Sequence, residues 1–150
     1  DNRRPVDFAI RQKRLSDLEH SAPRALLEHW RDGRIKLFAI HRLLTLRREM
    51  PVLLASGSYT GLPTQGMFAD KVVAFERRDG SESLIVIVPR HTTPLGFPPL
   101  GEVWDDTHVL APGDGVVLRD IFTGREHAGP ALALSEILSD LPFAALLLQH

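Results

Sequence analysis

The apolar rhythm of this chain changes near residue 55, and that change dictates what it can fold into. Between Arg34 and Met50, Ile35, Phe38, Ala39, Leu43 and Leu46 recur at the three- and four-residue steps of one helix face. Leu37, Ile40 and Leu44 form a second stripe beside the first. An arc that wide predicts a helix packed against more than one neighbour, so an isolated helical unit would leave part of it wet. Pro51 is expected to close the segment. Upstream, Pro5 suits the first turn of a helix, with Asp7 at the positive end of its dipole and Phe8, Leu15 and Leu18 as its stripe. Ser21 is expected to cap a short second helix that has Pro23 in its first turn, buries Leu26, Leu27 and Trp30, and ends near Asp32-Gly33.

From Ser58 onward the pattern is that of an antiparallel sheet. Lys71 to Arg78 and Ser83 to Val88 flank Asp79-Gly80, a hairpin signal, and Leu84 to Val88 is apolar on both faces, which predicts a central strand. Further strands are predicted over 107–110, 116–122 and 143–148, with turns at 112–115 and 123–125 and a helical turn capped by Ser135. The stretch 57–61 reads as a loop. Helices followed by strands, with no β-α-β alternation, predict an α+β fold: a helical segment over 1–55 packed on an antiparallel β-sandwich over 56–150.

At 150 residues and without cysteine, the chain can bury a core without staples, and thiolate metal sites, thiol nucleophiles and disulfides are excluded. The absence of cysteine fits a reducing compartment, and no apolar run approaches the roughly 20 residues that cross a bilayer. A soluble, cytoplasmic protein with no membrane partner is therefore expected. Residues 1–50 carry 12 basic against 7 acidic side chains, a net +5, and residues 51–150 carry 6 against 12, a net −6. The chain starts on a charged stretch without methionine, which suggests a piece of a longer polypeptide.

Chemistry-bearing motifs are sparse. Gly113-Asp114-Gly115 lacks the further glycine and lysine of a phosphate loop and reads as a turn, and Gly57 to Gly61 has tyrosine where a nucleophile elbow needs serine. The seven histidines are scattered, and Glu102, Asp105, Asp106 and His108 read as a polar turn before they read as a cation site, so no metal is expected. No local sequence pairs two carboxylates across a cleft. Arg3, Arg4, Arg11, Lys13, Arg14, Arg34, Lys36, Arg47 and Arg48 could form a nucleic-acid footprint, but they are interleaved with acids and aromatics are few, which favours a solvated or partner-facing surface and no nucleic-acid partner. A carbohydrate-binding module would need an exposed aromatic platform, for which Trp104 and Tyr59 are the candidates, although such residues in β segments usually belong to the core.

Asp1 to Phe8 and Asp32 to Phe38 resemble two signatures of the maltooligosyltrehalose synthase family, in the alpha-amylase superfamily. Val72 to Phe75, Val86 to Arg90, Trp104 with Asp106-Thr107, Asp120 with Thr123-Gly124-Arg125, and Leu141-Pro142 follow in that family's order; Val116 to Leu118 lacks the aromatic the pattern has there. The resemblance covers essentially the whole chain and implies the C-terminal part of such an enzyme: the last helices of a (β/α)8 barrel region and the β domain after it. It implies a parent that isomerises the reducing-end α-1,4 linkage of maltooligosaccharides to α,α-1,1 by intramolecular transglucosylation without a cofactor, a step of trehalose biosynthesis. The catalytic carboxylates would lie upstream, so no catalytic residue is expected in this chain, which would act as an inactive accessory domain partnered by the missing barrel. The same resemblance places Asp1, Asn2, Arg3, Arg4 and Asp7 near the substrate side as sugar-binding candidates. For Asp7 and the arginines, a helix-start and surface role is the competing reading.

Overall fold

Local chemistry sets the helix boundaries. Asp7 caps helix α1 (Phe8–Asp17), its Oδ1 accepting from the Ile10 N–H at 2.9 Å, so Pro5 precedes the helix and does not enter its first turn. Helix α2 (Pro23–Glu28) has proline at its start and Ala22 at its cap; the Ser21 hydroxyl instead donates to the Asp17 carbonyl at 2.9 Å and closes α1. A 3-10 turn, Trp30–Asp32, ends at Gly33, whose φ of +79° only glycine adopts freely, and leads into α3 (Arg34–Glu49). Pro51 does not close the helical region but opens α4 (Pro51–Ala55), because the N–H it lacks has no intrahelical partner at that position.

The computed structural model describes residues 5–18, 21–113 and 116–149. Its strands are β1 (Ser58–Gly61), β2 (Thr64–Gln65), β3 (Val72–Asp79), β4 (Glu82–Pro89), β5 (His108–Leu110), β6 (Val117–Asp120), β7 (Glu126–Ala128), β8 (Ala131–Ala133) and β9 (Ala144–Leu148), with helix α5 (Leu134–Ile137) before the last. One antiparallel sheet has the order β1-β3-β4-β9-β6-β7 and a smaller one the order β2-β5-β8. The fold is therefore α+β, as the pattern predicted. Strand β4 sits between β3 and β9, the central place its two apolar faces require. Asp79 pairs with Glu82, so the hairpin loop is Gly80-Ser81, one residue later than the Asp79-Gly80 reading, with Gly80 at φ +56°. Residues 58–61 are an edge strand and not a loop, and Ser135 lies inside α5, with Ala133 at its cap. The 112–115 turn falls partly outside the described residues.

Alternation along the central strands divides the core in two. Ile85, Ile87, Ala144 and Leu146 face Val109 and Leu132 of the small sheet, together with Trp104 and Leu138. Leu84 and Ala145 face the other way, onto Leu26, Leu27, Phe38, Leu46 and Leu53 of the helices and onto Phe122. The large sheet is thus a middle layer, with helices on one side and the small sheet and α5 on the other. Polar ties add to this packing: the Arg77 guanidinium on β3 donates to the Leu53 carbonyl of α4 at 3.3 Å and to the Gly57 carbonyl just after it at 2.8 Å, and that of Arg24 on α2 donates to the Ser139 carbonyl in the loop after α5 at 3.0 Å.

Of the two tryptophans, Trp104 takes the core place usual for an aromatic in a β segment, and Trp30 departs from the place expected of it. Trp104, a candidate sugar platform, is 0% exposed and donates its Nε1 to the Pro99 carbonyl at 2.9 Å, whereas Trp30, expected in the core beside Leu26 and Leu27, is 45% exposed. Truncating a filled site of that size removes buried area and leaves a cavity. Trp104→Ala is expected to cost about 3–5 kcal/mol in urea unfolding, a loss of fold before any loss of ligand.

Candidate functional site

A groove of about 530 Å³ lies between α3 and the part of the large sheet where β6 pairs with β9. Helical spacing brings Arg42, Thr45, Leu46 and Glu49 to one face of α3, at i, i+3, i+4 and i+7. The opposite wall is set by Asp120, whose Oδ1 accepts from the Phe122 N–H at 3.1 Å and whose Oδ2 accepts from the Thr123 hydroxyl at 2.7 Å. The Gly124 N–H donates to the Asp120 carbonyl at 2.8 Å, which completes the tight turn after β6. Strand alternation then aims Arg119 toward the helices while Leu118 enters the opposite core.

The groove has guanidinium, carboxylate, hydroxyl and amide groups above an apolar floor of Leu46, Phe122 and Leu147. Such a mixture suits a ligand that donates and accepts at several points, and it does not make a general acid and base pair. Burial pushes the Asp120 carboxyl up against the opposing pull of its hydrogen bonds, but both oxygens are already engaged by the turn, which makes the residue structural. Among the described residues, neither the Glu49 carboxylate nor the Arg119 guanidinium has a hydrogen-bond or ion-pair partner.

A second unusual group lies across the sheet. His127, opposite Leu118 on β7, has a buried Nε2 with no partner among the described residues, beside a cavity of about 120 Å³ lined in part by Glu126 and Glu136. Burial lowers its pKa below the ordinary 6.5; Asp120 and Glu136 pull it up, and Arg125 pushes it further down.

The residues singled out in the sequence are dispersed. Asp1, Asn2, Arg3 and Arg4 lie outside the described residues, and Asp7 is the exposed cap of α1. Tyr59 is exposed on the edge strand, stacked on Phe75 with ring centroids 4.7 Å apart. The Asp106 carboxylate accepts from the Met67 N–H at 2.8 Å and His108 Nδ1 lies 2.9 Å from the Asp106 carbonyl, so both serve the turn they were assigned to. Among the described residues no three His, Asp or Glu side chains are grouped to hold a metal ion, and no helix is long and apolar enough to cross a membrane. Of the basic residues, Arg34 pairs with Asp32 at 2.7 Å and Arg14 donates to the Asp32 carbonyl at 3.1 Å, so both brace the turn before α3. The Arg34 backbone N–H, foremost, and its guanidinium hold the Asp32 carboxyl below the usual range. The groove itself was missed because Arg119 and Glu49 are separated along the chain; only the position of Glu49 on the α3 face could have been read in advance.

No protein-family model matches the chain. A Mycobacterium tuberculosis protein described as a maltooligosyl trehalose synthase is 35% identical over 146 residues, 97% of this chain but 16% of that protein. The alpha-1,4-glucan:maltose-1-phosphate maltosyltransferase 1 of Streptomyces coelicolor is 31% identical over 112 residues, 70% of this chain and 15% of the relative. The solved maltooligosyltrehalose synthase of Arthrobacter ramosus superposes with a TM-score of 0.71 at 32% identity, over 99% of this chain and 18% of that one. The chain thus spans about a sixth of the length of the relatives it matches.

Two measurements test these assignments. Glu49→Ala and Arg119→Ala are each expected to leave unfolding stability within about 0.5 kcal/mol, since neither side chain has an internal partner to lose; a larger loss in urea titration would make them structural. For His127, whose folded pKa lies below 6.5, protonation is disfavoured by folding, so its contribution to stability is present above pH 6.5 and is lost as pH falls through the folded value. The difference in urea midpoint between pH 7.5 and more acidic buffer should therefore be smaller in His127→Gln.

Proposed function

Since the chain belongs to the maltooligosyltrehalose synthase family and corresponds to its C-terminal part, we propose that it is the accessory domain that buttresses the catalytic barrel of such an enzyme. The observation that carries this reading is the outer face of α3, where Ile40, Leu43 and Leu44, at i, i+3 and i+4, stay 40–58% exposed. Large aliphatic side chains on one face cost free energy in water unless another surface covers them. The inner face of α3 already packs on the sheet through Phe38 and Leu46, so the outer stripe is left for a partner. The barrel is that partner in this proposal. The division at residues 55/56, with 1–55 belonging to the barrel region and 56–150 to the β domain, follows the same logic.

In this reading the complete cytoplasmic enzyme isomerises the reducing-end α-1,4 linkage of maltooligosaccharides to α,α-1,1 without a cofactor. The barrel supplies the catalytic carboxylates. Asp1, Asn2, Arg3, Arg4 and Asp7 are the sugar-binding residues in this reading, although one Asp7 oxygen is already committed to the α1 cap.

The chain alone is expected not to convert maltopentaose into a non-reducing product. Mixed with the remaining part of a family member, it is expected to restore that conversion. Leu43→Asp with Leu44→Asp should leave the circular dichroism spectrum unchanged and block restoration, because both side chains are exposed and only the covering surface would be lost. Turnover by the chain alone, or restoration unaffected by the double substitution, would falsify the proposal.

A further inference from the structure

We propose that Trp30 and Phe97 form a binding surface for an α-1,4-glucan chain, with the indole as the stacking face and Arg31, His29 and Glu28 as the hydrogen-bonding rim. The choice of ligand rests on the functional reading above; the surface itself rests on the geometry. Trp30 stands on the 3-10 turn between α2 and α3, fixed by the Gly33 N–H donating to its carbonyl at 3.2 Å. Phe97 comes from the loop between β4 and β5, and its ring meets the indole edge-on, with centroids 5.1 Å apart. Both rings are in the open, at 45% and 66% exposure.

Polar groups surround this corner and are largely unspent. The Arg31 guanidinium carbon lies 5.4 Å from the centre of the Trp30 ring, and among the described residues it has no hydrogen-bond or ion-pair partner; nor has the His29 ring. Glu28 meets only Arg24, at 3.8 Å and in the open. Glu28, His29, Trp30, Arg31 and Asp32 line a shallow depression of about 350 Å³, and Phe97 meets the indole beside it, outside that lining.

A pyranose has an apolar C–H face with hydroxyls around its rim, and each hydroxyl both donates and accepts. It can stack on the exposed part of the indole while its rim meets the Arg31 guanidinium and the Glu28 carboxylate. An apolar protein surface would strip water from Arg31, His29 and Glu28 without replacing their hydrogen bonds. The aliphatic stripe on α3 has the opposite character, which separates a protein-facing surface from a sugar-facing one.

The chain has two tryptophans, and Trp104 is sealed in the core, so a ligand-dependent change in fluorescence reports Trp30. Maltopentaose titrated into the chain should shift Trp30 emission saturably and protect it from acrylamide; in Trp30→Ala, where the reporter is gone, binding read by calorimetry should be lost, and unchanged calorimetric binding overturns the proposal. Phe97→Ala, at an exposed loop position, should keep the fold and weaken binding about 2- to 10-fold, the factor expected for loss of one aromatic contact. The proposal is overturned by no response at about 10 mM sugar, ten times a millimolar dissociation constant. It is also overturned by an equal response to cellopentaose, or by protection that grows with chain concentration in the absence of sugar, which would mean self-association. This titration involves no turnover and no barrel. A silent Trp30 beside successful restoration removes only the glucan surface, whereas a sugar response beside failed restoration removes only the buttress.

Discussion

The structure depends on one strand that cannot be left wet on either side. Leu84, Ile85, Val86 and Ile87 give β4 apolar side chains on both faces, and β9 beside it repeats the arrangement with Ala144, Ala145, Leu146 and Leu147. An antiparallel sheet normally tolerates water on one face, but these two strands do not, so a layer must cover each side. The helices supply one and the small sheet with α5 the other. The three-layer arrangement is the least that covers the middle of this sheet.

That requirement also accounts for the exposed stripe of α3 and for the groove beside it. Helix α3 spends its Phe38 and Leu46 face on the sheet with Leu37 partly buried beside it, and Ile40, Leu44 and Leu43, the last read from the sequence as part of the buried stripe, are left over because one sheet face can bury only one side of a helix. The groove exists because the Asp120 turn at the end of β6 faces α3 across the sheet, and among the described residues no further element fills the space between them. Asp120 has a carboxyl raised by burial, a property that elsewhere marks active sites, yet its two oxygens are committed to the turn. Geometry, more than titration, separates the structural carboxylate from the available ones.

Much of this was legible where the signal was local. The helical period of 34–49, the Asp7 cap and the two apolar faces of 84–88 each depend on residues within one or two turns of chain. Strands β1, β2, β7 and β8 were not legible: they are two to four residues long, too short to show an alternation, and the partners of β1, β2 and β8 lie more than a dozen positions away. The hairpin was identified but shifted by one residue, because Asp79-Gly80 and Gly80-Ser81 are both acceptable turns and only the register with β4 distinguishes them. The candidate site was less legible than the fold, since the groove joins residues of α3 to a turn some seventy positions later.

The sequence by itself determined the class of fold and the family, because apolar period and motif order are properties of the chain that need no contacts to be read. Which aromatic is buried was decided by tertiary structure alone. Trp104 and Trp30 are both tryptophans in unremarkable local contexts, but one is enclosed between the two sheets with its N–H satisfied by Pro99 and the other is lifted out on a turn against Phe97. Burial is a sum over neighbours from many segments, and no short stretch of sequence contains that sum.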